Sequence, residues 1–111
     1  MPSDIDLLLH IRDEMEFLLH ESKRMSLEIF LSDETEKRAF ARSLEVIGEA
    51  VKGISSSLIL KHPGVEWRNM AGMRDKLIHT YFSIDYAIVW DVAVNKIPLL
   101  LQKIEKIIGS L

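Results

Sequence analysis

The chain has 111 residues, of which 48% are hydrophobic, and a formal net charge of −3. That composition excludes a disordered chain. The lack of cysteine excludes disulfides and thiolate metal sites, and no apolar run approaches the roughly 20 residues of a membrane-spanning helix. The length suits one domain, residues 1–111, and a net negative chain is ill suited to coating nucleic acid by bulk attraction. The opening residues are acidic, with no basic stretch leading into an apolar core. No secretory signal is therefore expected, and a cytoplasmic protein is.

Helical periodicity runs through the whole chain. Ser3 or Asp4 can cap a first helix reaching residue 23 or 24, with Leu8, Ile11, Met15 and Leu18 on one stripe and Ile5 and Leu9 beside it. Residues 26–32 form a connection or a short helical turn. Asp33 can cap the next helix, with Glu36 as its capping-box partner. Along that helix Phe40, Leu44, Ile47, Val51, Ile54 and Leu58 recur at helical steps, as in a bundle. The three serines at 55–57 weaken its end, and His62-Pro63-Gly64 is a break.

A further helix is predicted from about Glu66 to His79 or Thr80. Ser83 can cap another, from Ile84 to about Val94. Pro98 either opens a new segment or kinks a longer one. Leu101, Ile104, Ile108 and Leu111 then continue the apolar seam. No strand-like alternation occurs. The expected fold class is all-α: an antiparallel bundle of four to five helices.

The chemistry-bearing residues gather in residues 73–82, MRDKLIHTYF, where Arg74, Asp75, His79 and Tyr81 form an Arg-x4-His-x-Tyr pattern. Residues 52–79 carry net charge +3, through Lys52, Lys61, Arg68, Arg74 and Lys76 against Glu66 and Asp75, which leaves −6 for the remainder. A local basic region inside an acidic protein can meet a phosphate backbone selectively; it also fits an ordinary mixed-charge surface.

On an ideal helix Arg74 and His79 are about 140° apart in azimuth. Only the reach of the arginine can bring a guanidinium beside the imidazole. Such a pair suits metal-free RNA cleavage, in which a 2′-hydroxyl attacks the neighbouring phosphorus. A histidine moves the proton and a cation stabilises the crowded phosphorane oxygens. Near a helix C-terminus the dipole favours protonated His79. Asp75 can orient Arg74, or a histidine of a second copy. One motif supplies one imidazole, so a two-fold dimer would assemble a fuller site. The same spacing also fits an Arg74–Asp75 surface pair and a His79 that caps its helix.

The two stretches at residues 42–52 (RSLEVIGEAVK) and 67–82 (WRNMAGMRDKLIHTYF), continuing to Ile88-Val89-Trp90 and Pro98-Leu99-Leu100, resemble the HepT-like group of the HEPN superfamily. These are toxins paired with minimal nucleotidyltransferase antitoxins. The resemblance covers nearly the whole chain. It implies an all-helical homodimer with a ribonuclease cleft at its interface and RNA as substrate. Arg74 and His79 would be the catalytic pair and Asp75 the supporting neighbour, with no metal and no cofactor. Tyr81 matches the tyrosine that the antitoxin can AMPylate, and a nucleotide there would block RNA by bulk and repulsion. Asp75 stands where many relatives have Asn, and Thr80 where Glu is frequent.

Two other functions use the same residues: a non-catalytic helical partner or substrate of a nucleotidyltransferase, and a nucleotide-binding domain without turnover. Glu45 and Glu49 have a carboxylate spacing seen in metal sites, but the Glu-x-x-His elements of a di-iron bundle are missing; Glu16 and His20 are four apart. Gly48, costly in mid-helix, suggests a close helix contact, within the chain or across a dimer. Trp67 and Trp90 are expected as core or interface anchors, and His10, His20 and His62 as ordinary polar positions.

Overall fold

Serine and aspartate caps set where the helices begin. The computed structural model describes residues 2–79 and 84–111, without the side chains of Ile78 and His79. Helix α1 (Asp4–Ser22) starts from a reciprocal capping box: Ser3 Oγ accepts from the Asp6 amide at 3.3 Å, and the Asp6 carboxylate accepts from the Ser3 amide at 3.4 Å. Its stripe of Leu8, Ile11, Met15 and Leu18 is wholly buried, as the helical period requires. Helix α2 (Leu27–Ser32) is one short piece capped by Ser26, and it buries only Phe30. Asp33 caps α3 (Glu34–Gly53) by accepting from the Glu36 amide at 3.0 Å. The expected return bond from Glu36 is absent, because its carboxyl lies against Glu21 of α1 instead. Burial beside a second carboxylate raises the affinity of Glu36 for its proton.

The seam from Phe40 to Leu58 is buried throughout, but it is not one helix. The chain turns extended at Ile54 and restarts as α4 (Ser56–Lys61), capped by Ser55. The cause is a long-range interaction: Asp4 accepts from the Ser55 amide at 2.9 Å and from its hydroxyl at 2.5 Å, diverting an amide that a continuous helix would need. With Glu14 accepting from Ser43 at 2.7 Å, these contacts pair the start of α1 with the end of α3, so the two helices run antiparallel.

Helix α5 (Trp67–His79) follows a loop fixed at two points. Trp67 Nε1 donates to the His62 carbonyl at 2.9 Å and Lys103 Nζ to the Gly64 carbonyl at 2.7 Å. Trp67 is thus a core anchor, as expected. Helix α6 (Tyr86–Asp91) is capped by Asp85, whose Oδ1 accepts from the amides of Ala87 and Ile88. Ile84 therefore precedes this helix rather than opening it; Ser83, the cap expected from sequence, lies outside the described residues. A π-helical turn (Val92–Lys96) joins α6 to α7 (Ile97–Ser110). Pro98, in the first turn of α7, lacks an N–H, and its ring crowds the carbonyl four residues back. Widening the turn, with the Ile97 amide bonded to the Val92 carbonyl, accommodates it without breaking the rod.

Helix α1 packs against α3 and α7, and α3 packs against α5. At the α2–α6 side Phe30 and Phe40 lie 4.7 Å apart, Trp90 stacks on Phe40 at 6.3 Å, and Phe17 meets Phe40 edge-on. These arrangements match the preferences of aromatic quadrupoles. The fold is all-α, as the periodicity implies. Among the described residues no helix is long and apolar enough to cross a membrane.

The Ser55 bonds hold the Asp4 carboxyl below its usual value. Native Asp4 thus binds its proton less readily than the unfolded chain does, and its contribution is full above the unfolded value near 3.8 and lost as pH falls through the lower native one. Asp4→Asn should cost about 1 kcal/mol in urea unfolding at pH 7, the low end for charge-assisted bonds because solvent screens the group. The gap from wild type should narrow as pH falls below about 4 and close beneath the lowered native value. A gap that is constant with pH would assign the effect to something other than the carboxylate charge.

Candidate active site

Met70, Arg74 and Leu77 lie on one face of α5, the face that packs on α3. Met70 and Leu77 are buried, and Arg74 takes the middle of what would otherwise be an apolar stripe. It fits there because α3 presents Gly48. A Cβ at position 48 would overlap Arg74 Cβ and lie 2.9 Å from the Met70 carbonyl oxygen. The close contact expected of Gly48 is therefore made within the chain, to α5.

The Arg74 side chain is 27% exposed, and its Nη1 donates to Asp75 Oδ1 at 3.1 Å. Its Nε is buried and has no hydrogen-bond partner among the described residues. An unpaired buried donor is expensive to maintain, and such groups gather where a ligand completes them. Asp75 Oδ1 also accepts from Lys52 Nζ at 2.5 Å, across from α3. Lys52 first, and Arg74 second, hold the Asp75 carboxyl below the usual carboxylate range. It is thus ionised at neutral pH.

The structure brings together Arg74 and Asp75, as anticipated, and adds Lys52. Sequence reading counted Lys52 only as one basic residue of its region. The available signal was its spacing: Lys52 is four residues past Gly48, on the same face of α3. His79 is the last residue of α5, five positions after Arg74 on the same helix. Tyr81 lies outside the described residues. Glu45 pairs with Arg42 at 3.5 Å and Glu49 is exposed. His20 turns to Glu21 at 3.1 Å rather than to Glu16. A mainly apolar cavity of about 140 Å³, walled by Met15, Leu44, Ile47, Met70 and Met73, lies elsewhere along the α3–α5 seam and includes neither Arg74 nor Asp75.

The chain is thus all-α, with an arginine set into a helix–helix seam five residues before a histidine. The family model described as "Ribonuclease HepT-like" matches residues 10–107. The chain is 46% identical to "Putative RNase TTE0752" of Caldanaerobacter subterraneus subsp. tengcongensis, over 91% of this chain and 90% of that protein. It is also 46% identical to "Putative RNase MJ0127" of Methanocaldococcus jannaschii, over 96% and 84%. With "Probable ribonuclease HepT" of Thermococcus cleftensis the identity is 40%, over 92% and 93%. No solved structure matches the chain at comparable significance. This protein belongs to the HepT-like ribonuclease family.

Two glycine substitutions separate close packing from helix propensity. Gly72→Ala, with nothing within 4 Å of its added methyl, should gain up to about 1 kcal/mol in urea unfolding. Gly48→Ala should instead lose about 1–3 kcal/mol, since the clash is with a Cβ that no rotamer can move. Equal gains at both positions would show that α3 and α5 do not touch at Gly48.

Proposed function

We propose that this protein is a metal-independent endoribonuclease acting as the toxin of a toxin–antitoxin pair. Membership of a ribonuclease family supports the RNA-cleaving part. The observation that carries the assignment to residues is Arg74, a half-buried guanidinium whose Nε has no partner among the described residues, seated on the helix that ends at His79. In this reading Arg74 binds the scissile phosphate and stabilises charge on its non-bridging oxygens. Asp75 orients the guanidinium, and His79 transfers protons.

The 2′-oxygen forms a bond to phosphorus while the bond to the 5′-oxygen breaks. The 2′-hydroxyl proton goes to a base and the 5′-oxygen takes one from an acid, leaving a 2′,3′-cyclic phosphate and a 5′-hydroxyl. These two transfers need two groups. A homodimer that faces two copies of the motif across a cleft supplies a second imidazole. The whole of residues 1–111 serves as one domain, working in the cytoplasm. The partner is a nucleotidyltransferase antitoxin, which silences the toxin by binding it or by placing AMP on Tyr81.

His79→Ala should reduce cleavage of a defined RNA by about 10²–10⁴-fold, and Arg74→Ala by about 10²–10³-fold, with helical circular dichroism unchanged. Undiminished cleavage by folded His79→Ala would remove this site from the reaction and assign the activity to another site or a contaminant, whereas no cleavage by the wild type would leave a non-catalytic partner of a nucleotidyltransferase as the better description.

Co-expression with the neighbouring nucleotidyltransferase should raise the intact mass of the protein by whole AMP units, and Tyr81→Phe should abolish that shift. An unmodified wild-type protein that is nevertheless neutralised would mean inhibition by occlusion alone.

A further inference from the structure

The helix that carries Arg74 and His79 does not supply all the positive charge at the site. Lys52 reaches over from α3, and its ammonium and the Arg74 guanidinium donate to the same oxygen, Asp75 Oδ1, at 2.5 and 3.1 Å. Two cations that share one acceptor atom are necessarily close neighbours. A carboxylate oxygen held between a guanidinium and an ammonium has the surroundings that a non-bridging phosphate oxygen seeks. One carboxylate between two cations leaves the cluster net positive, so an anion is still attracted to it.

Folding stability gives little reason for the arrangement. The side chains of Lys52 and Asp75 are 42% and 45% exposed, and ion pairs this accessible contribute little against the entropy of fixing a long lysine. The exposure has a different consequence: the ammonium is open to a ligand arriving from solvent. Its position is set by the rigid part of the fold. Lys52 is one turn beyond Gly48, where the backbone of α3 comes into close contact with Arg74 and Met70 of α5. Its stem therefore starts at a fixed distance from Arg74.

We propose that Lys52 is a second phosphate-binding cation of the site, engaging the RNA backbone together with Arg74, so that the phosphodiester is gripped by α3 and α5 at once. This rests on the ribonuclease reading above and extends it to a residue outside the Arg-x4-His motif.

The test measures binding and cleavage separately. Binding of a fully 2′-O-methylated RNA oligonucleotide, which has no 2′-hydroxyl to attack with, is followed against salt concentration for wild type, Lys52→Gln, Lys52→Arg and a charge control, Lys23→Gln. Lys52→Gln should weaken binding about tenfold. It should also reduce the slope of log affinity on log salt by about 0.7, the loss of one phosphate contact to a single strand. Lys52→Arg should restore most of both, and Lys23→Gln should change neither.

With unmodified RNA, Lys52→Gln should raise KM more than it lowers kcat, at an unchanged thermal midpoint. Should Lys52→Gln fail to fold, Lys52→Met removes the same charge while keeping an apolar stem, and the same losses of slope and affinity are expected of it. Wild type that cleaves RNA, with Lys52→Gln matching it in slope and affinity, sinks the role of Lys52 and leaves the ribonuclease intact. Wild type that neither binds nor cleaves RNA overturns the ribonuclease reading, and this inference with it.

Discussion

The contact between α3 and α5 at Gly48 governs the candidate site. Because position 48 has no side chain, the backbone of α5 comes close enough for Arg74 to occupy a core-facing position. A guanidinium with a buried Nε results, on a side chain that is 27% exposed and donates through Nη1 to Asp75. Preorganisation of this kind makes a cation effective against a developing phosphorane, since no reorientation is needed as charge builds up. The cost is a glycine in mid-helix and a donor unpaired among the described residues, both of which a purely structural helix pair would avoid.

The rest of the fold maintains that seam. Asp4 ends α3 by capturing Ser55, which sets the length of α3 and lets α4 and the loop around Gly64 lead the chain back to α5. Lys103 and Trp67 fasten that loop from opposite sides. The aromatic cluster of Phe17, Phe30, Phe40 and Trp90 fixes the N-terminal half of α3 against α6. The π-turn before Pro98 keeps α6 and α7 continuous enough to close the bundle. Helix α5 carries Arg74 in its middle and His79 as its last residue.

Much of this is legible in the sequence wherever the cause is local. The buried stripe of α1, the seam of α3, the caps at Ser3 and Asp33 and the anchoring of Trp67 all follow from spacing within one or two turns. What sequence reading misses is long-range. The break after Gly53 depends on an aspartate 51 residues away, and the Lys52–Asp75 pair spans 23 residues. Neither separation leaves a periodic trace. The Asp85 cap is a local error: Ser83 and Asp85 are both good caps, and a chain with two adjacent candidates does not declare which it uses. Glu36 shows the same competition, since the carboxyl that could complete a capping box meets Glu21 instead.

In the proposed reaction Arg74 and His79 act on one phosphodiester. The most direct measurement is an NMR titration with a fully 2′-O-methylated RNA oligonucleotide, following the Arg74 Nε–H and the His79 imidazole resonances together. The account predicts that both move in parallel and fit a single dissociation constant. An Arg74 signal that shifts while the His79 imidazole stays still, or two distinct binding curves, would contradict it.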